Sequence, residues 1–430
     1  MSLSIPIQLT IFLAASITAE SPQIDLDARP VIVSIPSPAG EKSRLPNLTS
    51  GADGQLYLSW VEPGKDGSTR LLFSTFSEDA WSEAKEIAAG SDWFVNWADF
   101  PSLAVLSDGT IAAHWLARLG TGTYAYGVQV SLSTDGGVTW SDPIVPHSDR
   151  SPSEHGFVSM VPRDSDHFTL VWLDGREMMG GHGHGLDAEA GGDMTIRTNT
   201  LHRSGKLGTE KRLDQRACEC CSTSAVVYQD RVLVAYRDRS DDEVRDISIV
   251  RFGETGSSSP RNVHRDNWKN EGCPVNGPVV AKRGEELGVL WYTEGDQRSR
   301  VLFASSTDGA MSFSKPIAVD DGNPVGRVDL APHPQEGWLA CWLERGDEGG
   351  EIRVRAIDAD GVGGASLLVA RTSSERIAGF PHIAQVGGRV WIAWTEVTEG
   401  EAGAQAAVTV RSAELVYPSK DGQKPTDSKL

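Results

Sequence analysis

An apolar segment closing on an aromatic residue recurs seven times along this chain, and no other feature restricts its fold as strongly. The copies are LYLSWVE at Trp60, IAAHWLAR at Trp115, FTLVWLDGRE at Trp172, VLVAYRDR at Tyr236, LGVLWYTE at Trp291, WLACWLER at Trp342 and VWIAWTE at Trp394. Their spacings are 55, 57, 64, 55, 51 and 52 residues. Most copies follow a shorter apolar stretch whose turn holds Gly or Asp-Gly, as in PNLTSGADG, PSLAVLSDG and PHIAQVGG, which signals a tight hairpin. Behind them come segments of period two, such as VQVSLS, VLFASS and IRVRAI, and then a weaker stretch such as DPIVP or KPIAV. Each unit therefore reads as four antiparallel strands, A to D.

Four-stranded units at this spacing predict a β-propeller, because one blade cannot bury both faces until neighbours stack on it. Residues 30–417 are expected to form a single all-β propeller of seven blades, with six blades and one degenerate unit as the alternative. The last unit supplies A near Pro381, B at 390–395 and C at 407–416 but no clear D. The segment PVIVSI at 30–35 is placed to fill that position, closing the ring and removing exposed sheet edges.

Composition agrees with a folded, turn-rich chain: 39% apolar, 23% charged, 45 Gly and 22 Pro exclude disorder or coiled coil as the main state. Asp and Glu outnumber Lys and Arg by 59 to 40, a formal charge of -19, and no basic run stands out. Nucleic acid is thereby excluded as a partner. Residues 5–19 form an uncharged apolar stretch ending in small residues, so 1–19 reads as a signal peptide too short to span a bilayer. The n-region carries no Lys or Arg, which leaves a buried N-terminal strand as the other reading. The mature chain is expected to be exported, periplasmic or secreted, monomeric and without a membrane span. Its polar tail, 418–430, is expected to be disordered.

Ser133-Thr134-Asp135-Gly136-Gly137-Val138-Thr139-Trp140 matches the Asp-box pattern S-x-D-x-G-x-T-W, and Ser306 to Phe313, around Asp308, is a weaker copy 173 residues later. On these motifs the chain resembles the sialidase (neuraminidase) superfamily of Asp-box, or BNR-repeat, propellers. In that family the box is structural and lies away from the active face, so Asp135, Trp140 and Asp308 are read as fold markers. Ser43-Arg44-Leu45-Pro46 is similar to the element that opens the first sialidase blade and supplies one of three arginines gripping a carboxylate. Arg237 and Arg327 are the candidates for the other two. The resemblance implies a polar or anionic ligand, a glycan, and glycoside hydrolysis with Asp66 or Asp99 as acid/base. The chain departs from the family in its blade count and in its tyrosines: after Tyr292 only Tyr417 is available as a nucleophile.

Propeller topology sends the B-to-C and D-to-A loops to one face and the Asp boxes to the other. That sorting gathers His182 and His184, on the glycine-rich B-to-C loop of the third unit, near Cys218, Cys220 and Cys221 at the start of the fourth and Cys273 at the start of the fifth. Soft sulfur donors beside imidazoles suit copper, or zinc if the cysteines supply thiolates. In an oxidising compartment the same four cysteines are an even set that can pair as two disulfides, one pinning blade four to blade five. Two further readings are a cysteine nucleophile served by His155 and a non-catalytic interaction scaffold, the latter requiring a sizeable exposed apolar patch.

Overall fold

The computed structural model describes residues 29–178, 192–358, 361–398 and 406–417. The expected signal peptide, the polar tail, His182 and His184 lie outside the described residues. The strands form seven antiparallel sheets in chain order. Their inner strands are Arg44–Ser50, Ser102–Val105, His155–Pro162, Ser224–Tyr228, Val279–Arg283, Pro324–Pro332 and His382–Val386. In the seventh sheet Val31–Ile35 pairs with Ala407–Val416 in register from Val31↔Val416 to Ile35↔Ser412. Seven blades closed by the N-terminal strand replace the six-bladed alternative. Blade 2 has three full strands, and its fourth is a single bridge between Val130 and Ile144. Pro143 and Pro146 flank that bridge and have no N–H to extend it.

The recurrent aromatic residues are what the blades bury against one another. Trp60, Trp172, Tyr236, Trp291 and Trp342 have no exposed surface, and Trp115 and Trp394 have little. Trp172 of blade 3 packs among Leu116, Tyr126, Val128 and Val130 of blade 2, and Trp291 of blade 5 among Leu233, Ile247 and Ile249 of blade 4. Replacing such a tryptophan by alanine costs about 3–5 kcal/mol, so each interface is individually important to the ring.

The Asp boxes lie in the C-to-D turns and make one hydrogen-bond set twice. Asp135 accepts from Ser133 Oγ (2.8 Å), the Val138 and Thr139 amides (3.1 and 2.9 Å) and Thr139 Oγ1 (2.7 Å). Asp308 accepts from Ser306 Oγ (2.8 Å), the Met311 and Ser312 amides (2.9 Å each) and Ser312 Oγ (2.6 Å). These donors, led by the Thr139 and Ser312 hydroxyls, lower both carboxylates to about 2. Trp140 meets Phe73 of blade 1 edge to face at 6.0 Å, which ties the box to the preceding blade.

At the opposite end, three of the seven inner strands are bulged where they begin. Pairing shifts register between Arg44 and Asn47, Gly156 and Ser159, and Gly326 and Asp329. Leu45, Phe157 and Arg327 hold φ of 56°, 53° and 52° in these bulges. The bulges turn main-chain N–H groups toward the neighbouring blade. The Phe157 amide donates to Asp99 Oδ1 at 2.8 Å, and the Arg327 amide to Asn276 Oδ1 at 2.7 Å. The inner strands enclose a central channel of ≈ 830 Å³ whose lining includes Asp99, Phe100, Phe157 and Phe380.

Candidate active site at the channel mouth

Asp99 precedes strand A of blade 2, Tyr126 begins its strand C, and Glu154 precedes strand A of blade 3, so the topology delivers all three to the same end of the ring. The Tyr126 hydroxyl is 2.6 Å from Glu154 Oε1 and 3.2 Å from Asp99 Oδ2. Asp99 is 2%, Tyr126 1% and Glu154 7% exposed. Burial raises Asp99 to about 7, against the pull of the Phe157 amide and the Tyr126 hydroxyl. Burial also raises Glu154 to about 8, against its Tyr126 hydrogen bond and with help from the charges of Asp99 and Glu219. Burial and the two carboxylates push the Tyr126 phenol well up, so it stays a donor. Two carboxyls joined through one phenol and titrating about neutrality can hold and release a proton in the pH range where a catalyst works.

The walls beside this group are aromatic and cationic. Tyr126 stacks on Phe94 with centroids 3.9 Å apart, and Arg118 lies 5.4 Å over Phe94. Trp97 stacks on Phe380 at 6.0 Å, and Phe100 tilts against Phe380 at 5.6 Å. Arg327 and Arg376 lie over Trp97 at 4.7 and 5.8 Å. Arg345 and Arg376 are exposed and close enough to bear on Arg327, which burial lowers to about 10 with Glu375 opposing and these two charges assisting. A second phenol–carboxyl contact, Tyr236 with Asp214, joins strand B of blade 4 to strand D of blade 3, away from the inner strands that line the channel.

The three arginines expected to grip a carboxylate have different fates. Arg44 is exposed at the start of blade 1. Arg237 is 1% exposed and donates to the carbonyls of Asn276, Arg245 and Tyr292 at 2.9, 2.7 and 2.7 Å, with its plane over Trp268. Arg327 is 4% exposed and donates to the carbonyls of Glu375, Gly379 and Ser374. The last two hold main chain together. Of the two expected acids, Asp99 joins the buried group, whereas Asp66 is exposed in a turn and accepts from the Ser68 amide and hydroxyl. Hydrogen bonds from Ser68 lower its pKa. His155 is buried, stacked on His147 at 3.9 Å, with Nε2 3.2 Å from Asp149 Oδ2 and 3.7 Å from Asp174 Oδ2.

Sequence reading missed Tyr126 and Glu154. Glu154 adjoins His155, which the topology had already placed at the mouth, and Tyr126 begins the strand C that leaves the same face. Neither lies in a motif.

Next to this group sit the sulfurs. Cys220 and Cys273 form a disulfide between the loops that open blades 4 and 5. Cys218 and Cys221 are buried free thiols with Sγ atoms 2.9 Å apart, and Cys218 Sγ is 3.9 Å from Cys220 Sγ. The sulfurs of Cys218, Cys220 and Cys221 all lie within 4.8 Å of one another. One of the two expected disulfides is thus present, and it removes Cys220 and Cys273 from the thiolate donor set.

No protein-family model matches the chain, and no curated protein matches it. Solved structures are similar to it over most of its length. A protein of unknown function from Dyadobacter fermentans is 15% identical, with 90% of this chain and 98% of that one covered at a TM-score of 0.48. The NanB sialidase from Streptococcus pneumoniae is 10% identical, with 90% and 94% covered at 0.48. The polysaccharide lyase Uly1 is 10% identical, with 84% and 88% covered at 0.47. The likeness concerns the propeller alone.

Proposed function

We propose that the protein binds an anionic sugar at the mouth of its channel and acts on the sugar's linkage by acid–base chemistry, with Asp99 and Glu154 exchanging protons through Tyr126. One observation carries this reading: two buried carboxyls of neutral-range pKa share a phenol beside the channel opening. Paired carboxyls are the usual means of protonating a glycosidic oxygen and activating its attacker. The partly exposed Trp97 and Phe100 offer faces for a sugar ring, and the exposed Arg345 and Arg376 offer charge to a carboxylate. Here they take the part first assigned to Arg237 and Arg327.

The metal reading has less support, because Cys220 and Cys273 are bonded to each other and His182 and His184 lie outside the described residues. The scaffold reading has little: the exposed large apolar side chains among the described residues are Val31 and Val33 on one strand and Tyr124, Val138, Met311 and Ile377 at separate places in the chain. No helix among the described residues is long and apolar enough to cross a membrane. The disulfide favours an exported chain, since such bonds persist outside the reducing cytoplasm.

The test is turnover of sialosides and of uronic-acid oligosaccharides, with calorimetry for binding, in wild type and Glu154→Gln. Cleavage or lysis of one class, lost in the variant, is expected. Absence of both binding and turnover, or turnover that ignores the substitution, sinks the reading.

A further inference from the structure

We propose that the four cysteines at the mouth form a thiol–disulfide exchange site, in which the buried Cys218 resolves the Cys220–Cys273 bond and a disulfide presented from solvent is the substrate. The geometry separates this from a pair of static staples in three ways. Cys218 Sγ stands 3.9 Å from Cys220 Sγ, which is sulfur–sulfur contact with nothing between. Arg245, whose side chain is 3% exposed, places Nη1 3.3 Å from Cys218 Sγ and 2.8 Å from Glu219 Oε2. Arg245 also holds Glu243 Oε2 at 3.0 Å and the Asn270 carbonyl at 2.7 Å, and the Nη1 that reaches the sulfur is the part of this network that favours a thiolate. Cys273 is an exposed residue, so the leaving side of the bond belongs to a loop in contact with water.

The exchange balances without an outside reagent. The Cys218 thiolate attacks Cys220 Sγ, the Cys218–Cys220 bond forms, the Cys220–Cys273 bond breaks, and Cys273 departs as a thiolate that takes a proton from solvent. Cys221, 2.9 Å from Cys218 Sγ, then loses its proton and attacks Cys218 Sγ, expelling Cys220 as the thiolate. The Cys218 and Cys221 sulfurs are oxidised by two electrons in all, and those of Cys220 and Cys273 are reduced by two. The result is a buried Cys218–Cys221 disulfide and a dithiol at the rim. That dithiol returns to a disulfide by reducing an external one, which leaves as two thiols; both disulfides of the site are then formed, and an external dithiol must reduce Cys218–Cys221 before a second turnover. The fifth cysteine, Cys341, is buried in strand B of blade 6 and takes no part.

The test is alkylation of the native, unreduced protein with N-ethylmaleimide, followed by disulfide mapping of its peptides and metal analysis of the same preparation. Wild type is expected to become labelled at Cys220 and Cys273 as the Cys218–Cys221 bond appears. Cys218→Ser should label Cys273 roughly tenfold more slowly or less. Cys221→Ser should stop halfway, with Cys273 labelled and Cys218 bonded to Cys220, which keeps the test decisive if the first variant folds poorly. A preparation that carries both disulfides is the spent form and is returned to two thiols with one equivalent of dithiothreitol before labelling; the proposal is overturned by Cys273 that never labels in the two-thiol form, by equal labelling in Cys218→Ser, or by a stoichiometric metal that protects the sulfurs.

Discussion

Asn276 in blade 5 occupies the place that Asp99 occupies in blade 2, and the two junctions they serve differ in what stands behind the shared contact. At both, a side-chain oxygen accepts the amide of a bulged residue in the next blade, Phe157 in one case and Arg327 in the other. At both, a glycine precedes that residue, and a Cβ there would sit 2.0 Å from Asp99 Oδ2 at Gly156 or 2.4 Å from Asn276 Oδ1 at Gly326. The neutral amide shows that joining the blades needs no charge. Its Nδ2 goes to the Val325 and Pro274 carbonyls, whereas the second oxygen of Asp99 meets Tyr126 and, through it, Glu154. The strut is common to both junctions, and the proton chemistry belongs to one of them.

That contrast is broken most severely by exchanging the two residues. Asp99→Asn keeps an oxygen for the Phe157 amide, so the thermal midpoint should barely move, while turnover of the sugar substrate falls about 10²–10⁴-fold, the span of a lost acid or base. Glu154→Gln should match it. Asn276→Asp should leave turnover within about twofold. Equal losses from Asp99→Asn and Asn276→Asp would mean that both junctions are only structural.

The arginines sharpen the same comparison. Arg237→Ala strands three buried carbonyls and should cost about 3 kcal/mol in a urea titration. Arg376→Ala, at an exposed guanidinium over Trp97, should leave stability alone and weaken an anionic ligand by about 10–100-fold, the worth of one charged hydrogen bond. Calorimetry on both variants separates the roles, and a ligand bound normally by Arg376→Ala would move the binding wall elsewhere.

These assignments also show where the sequence stopped being readable. The blades were legible because their determinants are local and periodic: an aromatic every 51 to 64 residues, hairpin glycines, and two boxes whose hydrogen bonds lie within five residues. The closing strand was legible because the last unit lacked a partner. The direction of an arginine at the mouth was not legible, since it follows from a bulge and a positive φ that no motif announces. Asp99 was picked for its position and Asp66 for its loop, yet only the fold distinguishes a buried carboxyl from a turn cap. Tyr126 and Glu154 are 28 residues apart and meet only when blades 2 and 3 stack. Likewise the even count of cysteines at the mouth did not say which sulfurs pair.

A smaller cost should appear in blade 5 itself. Asn276→Asp removes two donors from the Val325 and Pro274 carbonyls and buries a charge, so a loss of about 1–3 kcal/mol is expected in the same urea titration, against less than about 1 kcal/mol for Asp99→Asn. The reverse order would place the structural burden at the junction of blades 2 and 3.

The pH dependence of stability tests the acid pair without a substrate. Asp99 and Glu154 lie at about 7 and about 8 in the folded chain against ordinary values of 3.8 and 4.5. Between those limits the native state binds more protons than the unfolded state, so stability falls as pH rises. Their contribution is complete below about pH 4 and gone once pH has climbed past about 8. The Asp-box carboxylates, held near 2, act in the opposite sense and only in strong acid. Wild type should therefore lose on the order of 1 kcal/mol or more between about pH 5 and about pH 8.5, and the Asp99→Asn/Glu154→Gln double variant distinctly less. Asn276→Asp should steepen the fall, because its new carboxyl would also be buried. Parallel curves for wild type and the double variant would show that the two carboxyls are ionised throughout, and the proton shared through Tyr126 would then have no place in the mechanism.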